Sequence, residues 1–567
     1  MNPSSAVSAT SEAISKATPR TLRELIEMRA RLNPERIFLI APQNLADIAD
    51  GSVRAASGAD AATLSFRQLH DDCRTLETQF RAAGLTPGDV VSVFMGNGIQ
   101  TARLLLAAMY SGMIANPLNL LSQPSQLRYV VEHSDTHMIF VSSDTEPAIH
   151  TALAARPSAP GVRLTRVVRI DPEASTLPTE ASSIPVASAD GLPDKAIDAL
   201  LDSAVSYEPR PDDDALLMYT SGTTGEPKGV LLTHRNLLAN ARNVSAEHRL
   251  GADDRVLASL PLYHINGLVV TLLAPLFHGG SVVMTSRFST GTFWRDVTEA
   301  GCTWINVVPT IIAYLINSEE VCSLDLSRLK FCRSASAALP ADHHRAFEAR
   351  FGIGIIETMG MTETAAPVFS NPLESAERRV GSIGRPSGCE ARVLGLDGQD
   401  CAPLQCGEIV LRGEQVMNRY YKRPDETRSA FTNDGWLRTG DLGYCDADGY
   451  FYINGRAKEL IIKGGENIAP REIDEALLKH PGVLEAAAVG VPDPFYGQEI
   501  VAFVVPRDTE YSSNLPAELH EHCLRELGRY KTPKVFRFVS DLPRGPSGKI
   551  QRLKLLNTWA DGESQKK

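Results

Sequence analysis

No stretch of this sequence is apolar for long enough to cross a bilayer. The longest run, Leu268–Phe277, is interrupted by Pro275, and a spanning helix needs about 20 apolar residues. Basic residues are not in surplus: 57 Lys+Arg stand against 68 Asp+Glu, a formal net charge of −11. That balance argues against a nucleic-acid binder but leaves room for a local basic pocket for phosphates. The 9 cysteines are odd in number and no pair has CxxC spacing. Neither a disulfide framework nor a structural zinc site is expected, and a reducing cytoplasm fits best. The first 20 residues have no apolar core and a single arginine, Arg20. They match neither a secretory signal nor a transit peptide, so 1–20 is expected to be a flexible tail. No internal repeat is present.

What is present is enough chain, 567 residues, for roughly three or more units at about 100–200 residues each. Leu22–Leu32 has helical apolar spacing behind a possible cap, Thr21. Short apolar runs at Phe38–Ala41, Thr63–Phe66, Val90–Met95, Met138–Val141, Val282–Met284 and Trp304–Val308 alternate with amphipathic ones. A helix is predicted over Gln68–Ala83, and another reaches Met109 with Asn97 as its cap. This alternation predicts an α/β fold with mainly parallel sheets. Residues Ala154–Pro211, rich in Pro, Ala, Ser and Asp, predict a surface excursion with little regular structure. Over Gly381–Gly455 the strands shorten and Asp-Gly pairs mark hairpins, so a small β-rich subdomain is expected. Beyond it, Pro470–His480, Val483–Val491, Ile500–Val505 and Pro516–Leu527 predict a compact α+β unit.

The densest chemical signal is Tyr219-Thr220-Ser221-Gly222-Thr223-Thr224-Gly225-Glu226-Pro227-Lys228-Gly229. Hydroxyls, glycines and a lysine are gathered in one turn between the apolar run Ala215–Met218 and a helix starting near Thr233. Glycines let the backbone approach an anion, and N–H and O–H donors can then wrap it. A Walker A loop does not fit, because Lys228 is followed by Gly229 rather than Ser or Thr.

This segment resembles the phosphate loop of the adenylate-forming superfamily, which includes acyl-CoA synthetases, luciferases and peptide-synthetase adenylation domains. The resemblance runs from about Arg20 to Leu555. Phe331-Cys-Arg-Ser-Ala-Ser-Ala-Ala-Leu-Pro340 is similar to the family's turn beside the acyl-adenylate, and Glu357-Thr-Met-Gly-Met-Thr-Glu-Thr364 to its adenine and magnesium motif. Gly435-Trp-Leu-Arg-Thr-Gly-Asp-Leu-Gly443 is similar to its ribose motif, Gly455-Arg-Ala-Lys458 to its hinge, and Pro543-Arg-Gly-Pro-Ser-Gly-Lys-Ile550 to its catalytic-lysine loop. The implied division is a large N-terminal AMP-binding domain, 21–457, with its β-rich part at 381–455. A mobile C-terminal domain, 458–567, would carry the catalytic lysine.

The resemblance implies a ligase that uses ATP, Mg²⁺ and coenzyme A, forming an acyl-adenylate and then a thioester. Thr220, Ser221, Gly222, Thr223, Thr224, Gly225 and Lys228 would hold phosphates. Ala337, Glu357, Thr358, Met359 and Thr362 would line the nucleotide, with Met359 where the family usually places an aromatic residue. Glu363 supplies a hard carboxylate for Mg²⁺. Asp441 can accept both ribose hydroxyls, and Arg456 can hold ribose or phosphate. Lys549 would neutralise charge developing at the α-phosphate. The catalytic set is thus Lys549, Glu363, Thr220 and His264. Lys458 would be the hinge, and Gly464, Gly465, Glu466 and Asn467 would face CoA after rotation. Lys463 stands one residue past the position at which some relatives carry a lysine, so no role is transferred to it.

The acyl pocket of this family is framed by the segment after Pro261-Leu-Tyr-His264, by Trp304–Thr310 and by the Ser334–Leu339 turn. Here these segments hold His264, Asn266, Asn306 and Ser334, whereas a fatty-acid tunnel should be mainly apolar. Arg333–Ala338 and Met361–Ala365 are similar to oxalate–CoA ligases in particular, although those tend to carry a second histidine at the position of Asn266. The expected substrate is therefore a small polar or dianionic acid, an oxalate-like short dicarboxylate or a sulfonated acetate. The alternatives are a medium-chain fatty or aromatic acid, and a free-standing adenylation protein that loads a carrier. The partners expected are the acid and CoA, with no nucleic acid, and the sequence sets no oligomeric state.

Overall fold

The computed structural model describes residues 18–42, 63–154, 165–173, 207–220, 227–318, 325–395, 397–508, 512–544 and 550–564. Local signals set many element ends. The helix Leu22–Leu32 starts where Thr21 accepts from the Glu24 N–H at 3.1 Å. The helix Phe66–Ala82 starts two residues before its predicted first position, because Ser65 and Gln68 form a reciprocal capping box. Asn97 does not cap the next helix, Ile99–Tyr110, whose cap is Gly98. Its side chain instead donates to the Leu260 carbonyl and accepts from the Leu262 N–H. It thus stitches the helix entrance to the segment leading into the candidate acyl pocket.

Among the described residues, two large sheets carry the N-terminal part. The nine-stranded sheet has a parallel centre in the order Ile37–Ile40, Ser281–Met284, Arg255–Ala258, Trp304–Val307, Phe331–Ser334 and Ile355–Met361, with antiparallel strands at both edges. The seven-stranded sheet ends on the hairpin Asp214–Thr220 and Lys228–Thr233 with the short strand Arg419–Tyr420. At its other edge, Arg166–Arg169 pairs in parallel with Thr136–Val141. The predicted irregular excursion therefore contains a strand, because Val167 and Val168 extend the sheet's apolar edge. Residues 155–164 and 174–206 of that excursion lie outside the described residues.

Helices fill the space between these sheets. Ile99–Tyr110 is buried along its whole length, as an apolar helix without a polar face must be. The apolar run after His264 forms a π-helix, Asn266–Leu273, a form that occurs mostly at functional sites. Gly267 is required there, since a Cβ would lie 2.2 Å from the Pro261 carbonyl oxygen.

The strands Glu390–Leu394, Gly407–Arg412, Leu437–Cys445 and Phe451–Arg456 make an antiparallel four-stranded sheet. The last unit surrounds the long hairpin Val483–Asp493 and Gly497–Pro506, with its own apolar core of Ile461, Ile473, Leu477, Ile500 and Leu519. Its helix Leu515–Lys531 is broken by a left-handed Gly528. No helix among the described residues is long and apolar enough to cross a membrane.

Candidate active site

The paired strands Asp214–Thr220 and Lys228–Thr233 flank the hydroxyl- and glycine-rich turn expected from the sequence. Thr220 and Lys228 are register partners at the base of that turn, and the Thr220 hydroxyl donates to the Lys228 carbonyl at 3.4 Å. Ser221, Gly222, Thr223, Thr224 and Gly225 lie outside the described residues. Lys228 Nζ sits 4.9 Å from the centre of the Tyr420 ring. The Tyr420 hydroxyl donates to Glu363 Oε1 at 2.9 Å. A cation, a phenol and a buried carboxylate thus meet beside the end of this hairpin. Burial, and then the charge of Glu363, raise the Tyr420 pKa, so the phenol stays a donor.

Glu363 is positioned by backbone. It lies in a short helical turn, Thr362–Thr364, with Thr362 half-buried beside it. The Met417 N–H donates to the Glu363 carbonyl at 2.7 Å. The helix His234–Glu247 fixes the flanks: Asn240 Nδ2 donates to the carbonyls of Thr364 and Pro367, and Asn236 Nδ2 to those of Glu414 and Val416. Ala365 and Ala366 both have positive φ, 53° and 103°, a strained backbone that persists only where its surroundings over-determine it. Just before, the pairing of Ile355–Met361 with Ala366–Ser370 shifts register between Met359 and Gly360. A Cβ at Gly360 would lie 2.1 Å from the Ala366 carbonyl oxygen, so glycine is what allows this close approach.

Met359 packs with Val368, Phe369, Ile409 and Phe451, between the hairpin and the four-stranded sheet. Glu357 and Thr358 are buried. Burial raises the Glu357 pKa to about 8 against the opposing charge of Arg471, and its Oε2 has no partner. Asp441, 3% exposed, is the register partner of Arg456 and accepts from Arg456 Nε at 2.9 Å. Ala337 is exposed in the turn after Ser334, where Ser336 has a φ of 76°.

Of the residues expected to line an acyl pocket, Asn266 and Asn306 are brought together: Asn306 Nδ2 donates to Asn266 Oδ1 at 3.2 Å. Both amide oxygens also accept from Arg333 Nη1, at 3.3 Å from Asn266 and 2.9 Å from Asn306. Ser334 follows Arg333 on its strand and so faces the other side of the sheet, where its register partner is Glu357. Its hydroxyl is buried without a partner. His264 lies two residues before Asn266 on the segment entering the π-helix, its ring 4.7 Å from that of Tyr263.

Lys458 is exposed in a turn, Ala457–Glu459, between the last strand of the four-stranded sheet and the C-terminal unit. Gly464 and Gly465 have φ of 55° and 87° and turn the strand Ile461–Lys463 into Glu466–Ile468. This turn carries Glu466 exposed, with Asn467 next on the strand. The Gly464 N–H donates to the Tyr496 carbonyl, and Lys463 pairs with Glu499 inside the unit. Lys549 lies outside the described residues.

Sequence reasoning missed Tyr420, Asn236, Asn240 and Arg333. The first three lie outside the motifs and act through contacts distant in sequence. Arg333 lies within a motif, as a lone cation on an apolar strand.

Known proteins resemble this chain along most of its length. A family model described as AMP-binding enzyme matches residues 26–421, and one described as AMP-binding enzyme C-terminal domain matches 472–549. The chain is 60% identical to a sulfoacetate–CoA ligase of Cupriavidus necator over 95% of its own length and 97% of that protein. It is 34% identical to an oxalate–CoA ligase of Arabidopsis thaliana over 88% of this chain and 94% of that one. The structure of ATP-bound MatB from Rhodopseudomonas palustris superposes with a TM-score of 0.79 at 28% identity, covering 95% of this chain and 99% of that one.

Proposed function

This chain belongs to the AMP-binding enzyme family, and from that premise we propose that it is an ATP-dependent acid–CoA ligase for a small acid with a second anionic group. A sulfonated acetate or a short dicarboxylate is the substrate. The observation that carries this reading is the buried amide pair Asn266 and Asn306 in the acyl region, in a chain so similar to a sulfoacetate–CoA ligase. An apolar acyl chain is penalised here, because it offers no acceptor to the outward amide N–H of Asn266, whose contact with the Ser336 hydroxyl is long at 3.4 Å.

The reaction has two steps. The acid's carboxylate attacks the α-phosphate of ATP and releases pyrophosphate, leaving an acyl-adenylate. The thiol of CoA then attacks the acyl carbon and expels AMP. The turn between Thr220 and Lys228 holds the phosphates, with Lys228 as a fixed cation at its base. Asp441 binds the ribose, and Arg456 orients Asp441 or takes a phosphate.

Glu363 fits a magnesium site: it is a buried oxygen donor beside the phosphate turn. Among the described residues no group of three His, Cys, Asp or Glu forms an all-protein cage, and magnesium typically takes one or two carboxylates plus phosphates. Bound there, the ion would neutralise phosphate charge.

The C-terminal unit, 458–567, turns about Lys458 between the steps, first delivering Lys549 and then the Gly464–Asn467 turn. Two chemical steps need different walls around one acyl group. The cytoplasm, where ATP and CoA are both plentiful, is the compartment we assign, and the 8 described cysteines are all free thiols.

The test is AMP release with CoA present across sulfoacetate, oxalate, malonate, acetate, hexanoate and coumarate, with the thioester identified by mass spectrometry. The reading requires CoA-dependent turnover of an acid with two anionic groups. Turnover confined to fatty or aromatic acids, or AMP release that depends on a carrier protein, contradicts it.

A further inference from the structure

Arg333 is fully buried. Its strand neighbour Phe331 and the adjacent Trp304 belong to the apolar core between the two large sheets. The other two buried arginines among the described residues sit beside a carboxylate: Arg23 against Glu77 and Arg103 against Asp72. Arg333 has none among the described residues. Nη1 donates to the two asparagine oxygens, while Nε and Nη2 have no partner. Burial lowers its pKa to about 9 with no neighbouring carboxylate to offset it, so the group remains a cation at neutral pH. His248, buried nearby, has its own pKa pushed well down, by burial and then by Arg333, and brings no negative charge. A buried cation without a counter-charge destabilises the fold.

Resting on the reading of this site as the acyl pocket for a small dianion, we propose that Arg333 is the specificity-determining cation for the substrate's second anionic group, a sulfonate or carboxylate, with Asn266 as the donor between them. Arg333 binds the oxygen of each asparagine. Asn306, 0% exposed, spends one of its two amide N–H bonds on Asn266 Oδ1 at 3.2 Å and is shut off from solvent. That leaves Asn266 Nδ2 as the donor turned outward, toward the Ser336 hydroxyl at 3.4 Å on the half-buried turn after Ser334. An amide whose oxygen is held by a cation is polarised and donates more strongly. An anion at Asn266 Nδ2 is also within reach of a guanidinium field that little water screens. A neutral acyl end in the same place leaves the guanidinium unanswered. Arg333 therefore positions and charges the site and does not touch the reacting carboxylate.

The experiment compares kcat/KM for sulfoacetate with that for tert-butylacetate, which matches its shape without the second charge. Wild type, Arg333→Met, Arg333→Lys and Asn266→Asp are measured, with a melting temperature for each. Asn266→Asp places a carboxylate against the guanidinium, so the melting temperature rises while the preference for sulfoacetate falls roughly 100-fold or more. Arg333→Met lowers the ratio by a similar factor, mainly through KM for sulfoacetate, and Arg333→Lys restores part of it. Should Arg333→Met fail to fold, Arg333→Lys decides through a partial loss of the ratio, since Asn266→Asp also removes the donor that faces the substrate. If the variants keep the wild-type ratio, or both acids lose equally, Arg333 is structural and the proposal is overturned. If wild type itself shows no preference for the dianion, the functional reading fails as well, which separates the two.

Discussion

The Tyr420 hydroxyl donates to Glu363 Oε1 at 2.9 Å, across 57 residues of chain, and the face of the same ring carries Lys228 Nζ at 4.9 Å. One phenol therefore sets the position of both the carboxylate and the cation beside the phosphate turn. Tyr420→Phe keeps the ring and removes the donor. A hydrogen bond to a charged group is worth about 1.5–3 kcal/mol, so the variant should melt lower and need more Mg·ATP for half-maximal adenylation. Pyrophosphate exchange at varied Mg·ATP checks this. An unchanged KM for Mg·ATP would separate Tyr420 from the metal and phosphate site.

Glu357 gives a pH prediction with a defined sign. Its folded pKa is raised from 4.5 to about 8, first by burial. Between these values the unfolded chain has lost the proton and the folded chain still holds it, so stability falls as pH rises from about 4.5 to about 8 and levels off above. Glu357→Gln removes this dependence. The variant should melt higher than wild type at pH 8, with the difference shrinking toward pH 5. Parallel melting curves at all pH values would mean that Glu357 is not held neutral.

Much of the fold was readable in the sequence because its signals are local. The Asp-Gly hairpins and the cap Thr21 depend on near neighbours, and the α/β alternation followed from strand and helix periodicity, whereas the capping box of Ser65 and Gln68 went unread. The π-helix was not readable: Asn266–Leu273 is buried throughout, and an apolar run without a polar face gives no period to count. Nor was the link from Tyr420 to Glu363, which only the pairing of Arg419–Tyr420 with Val230 and Leu231 creates. The expected cap at Asn97 failed because a tertiary partner, the Leu260–Leu262 segment, competes for the same amide.

Lys549→Ala should remove acyl-adenylate formation and largely spare thioester formation from supplied adenylate. A cation placed at developing charge is worth about 2.7–4 kcal/mol, roughly 100–1000-fold in rate. Separate assays of pyrophosphate exchange and of adenylate-to-CoA transfer check it. Equal loss in both assays would remove Lys549 from its assigned step.

Lys458→Pro should do the reverse. Lys458 is exposed in the turn between the two parts of the chain, and proline fixes φ near about −65°, which blocks a backbone rotation there. Adenylation should persist while thioester formation drops. Thioester formation at the wild-type rate would place the hinge elsewhere.

The most direct measurement is a competition. Equimolar sulfoacetate, oxalate, malonate, acetate, hexanoate and coumarate are offered together with ATP, magnesium and CoA, and the thioesters formed are quantified by mass spectrometry. A site built to hydrogen-bond a polar group can reject analogues lacking it by about 10⁴-fold. The account predicts that nearly all thioester carries a second anionic group. A product pool dominated by hexanoyl- or coumaroyl-CoA would contradict it.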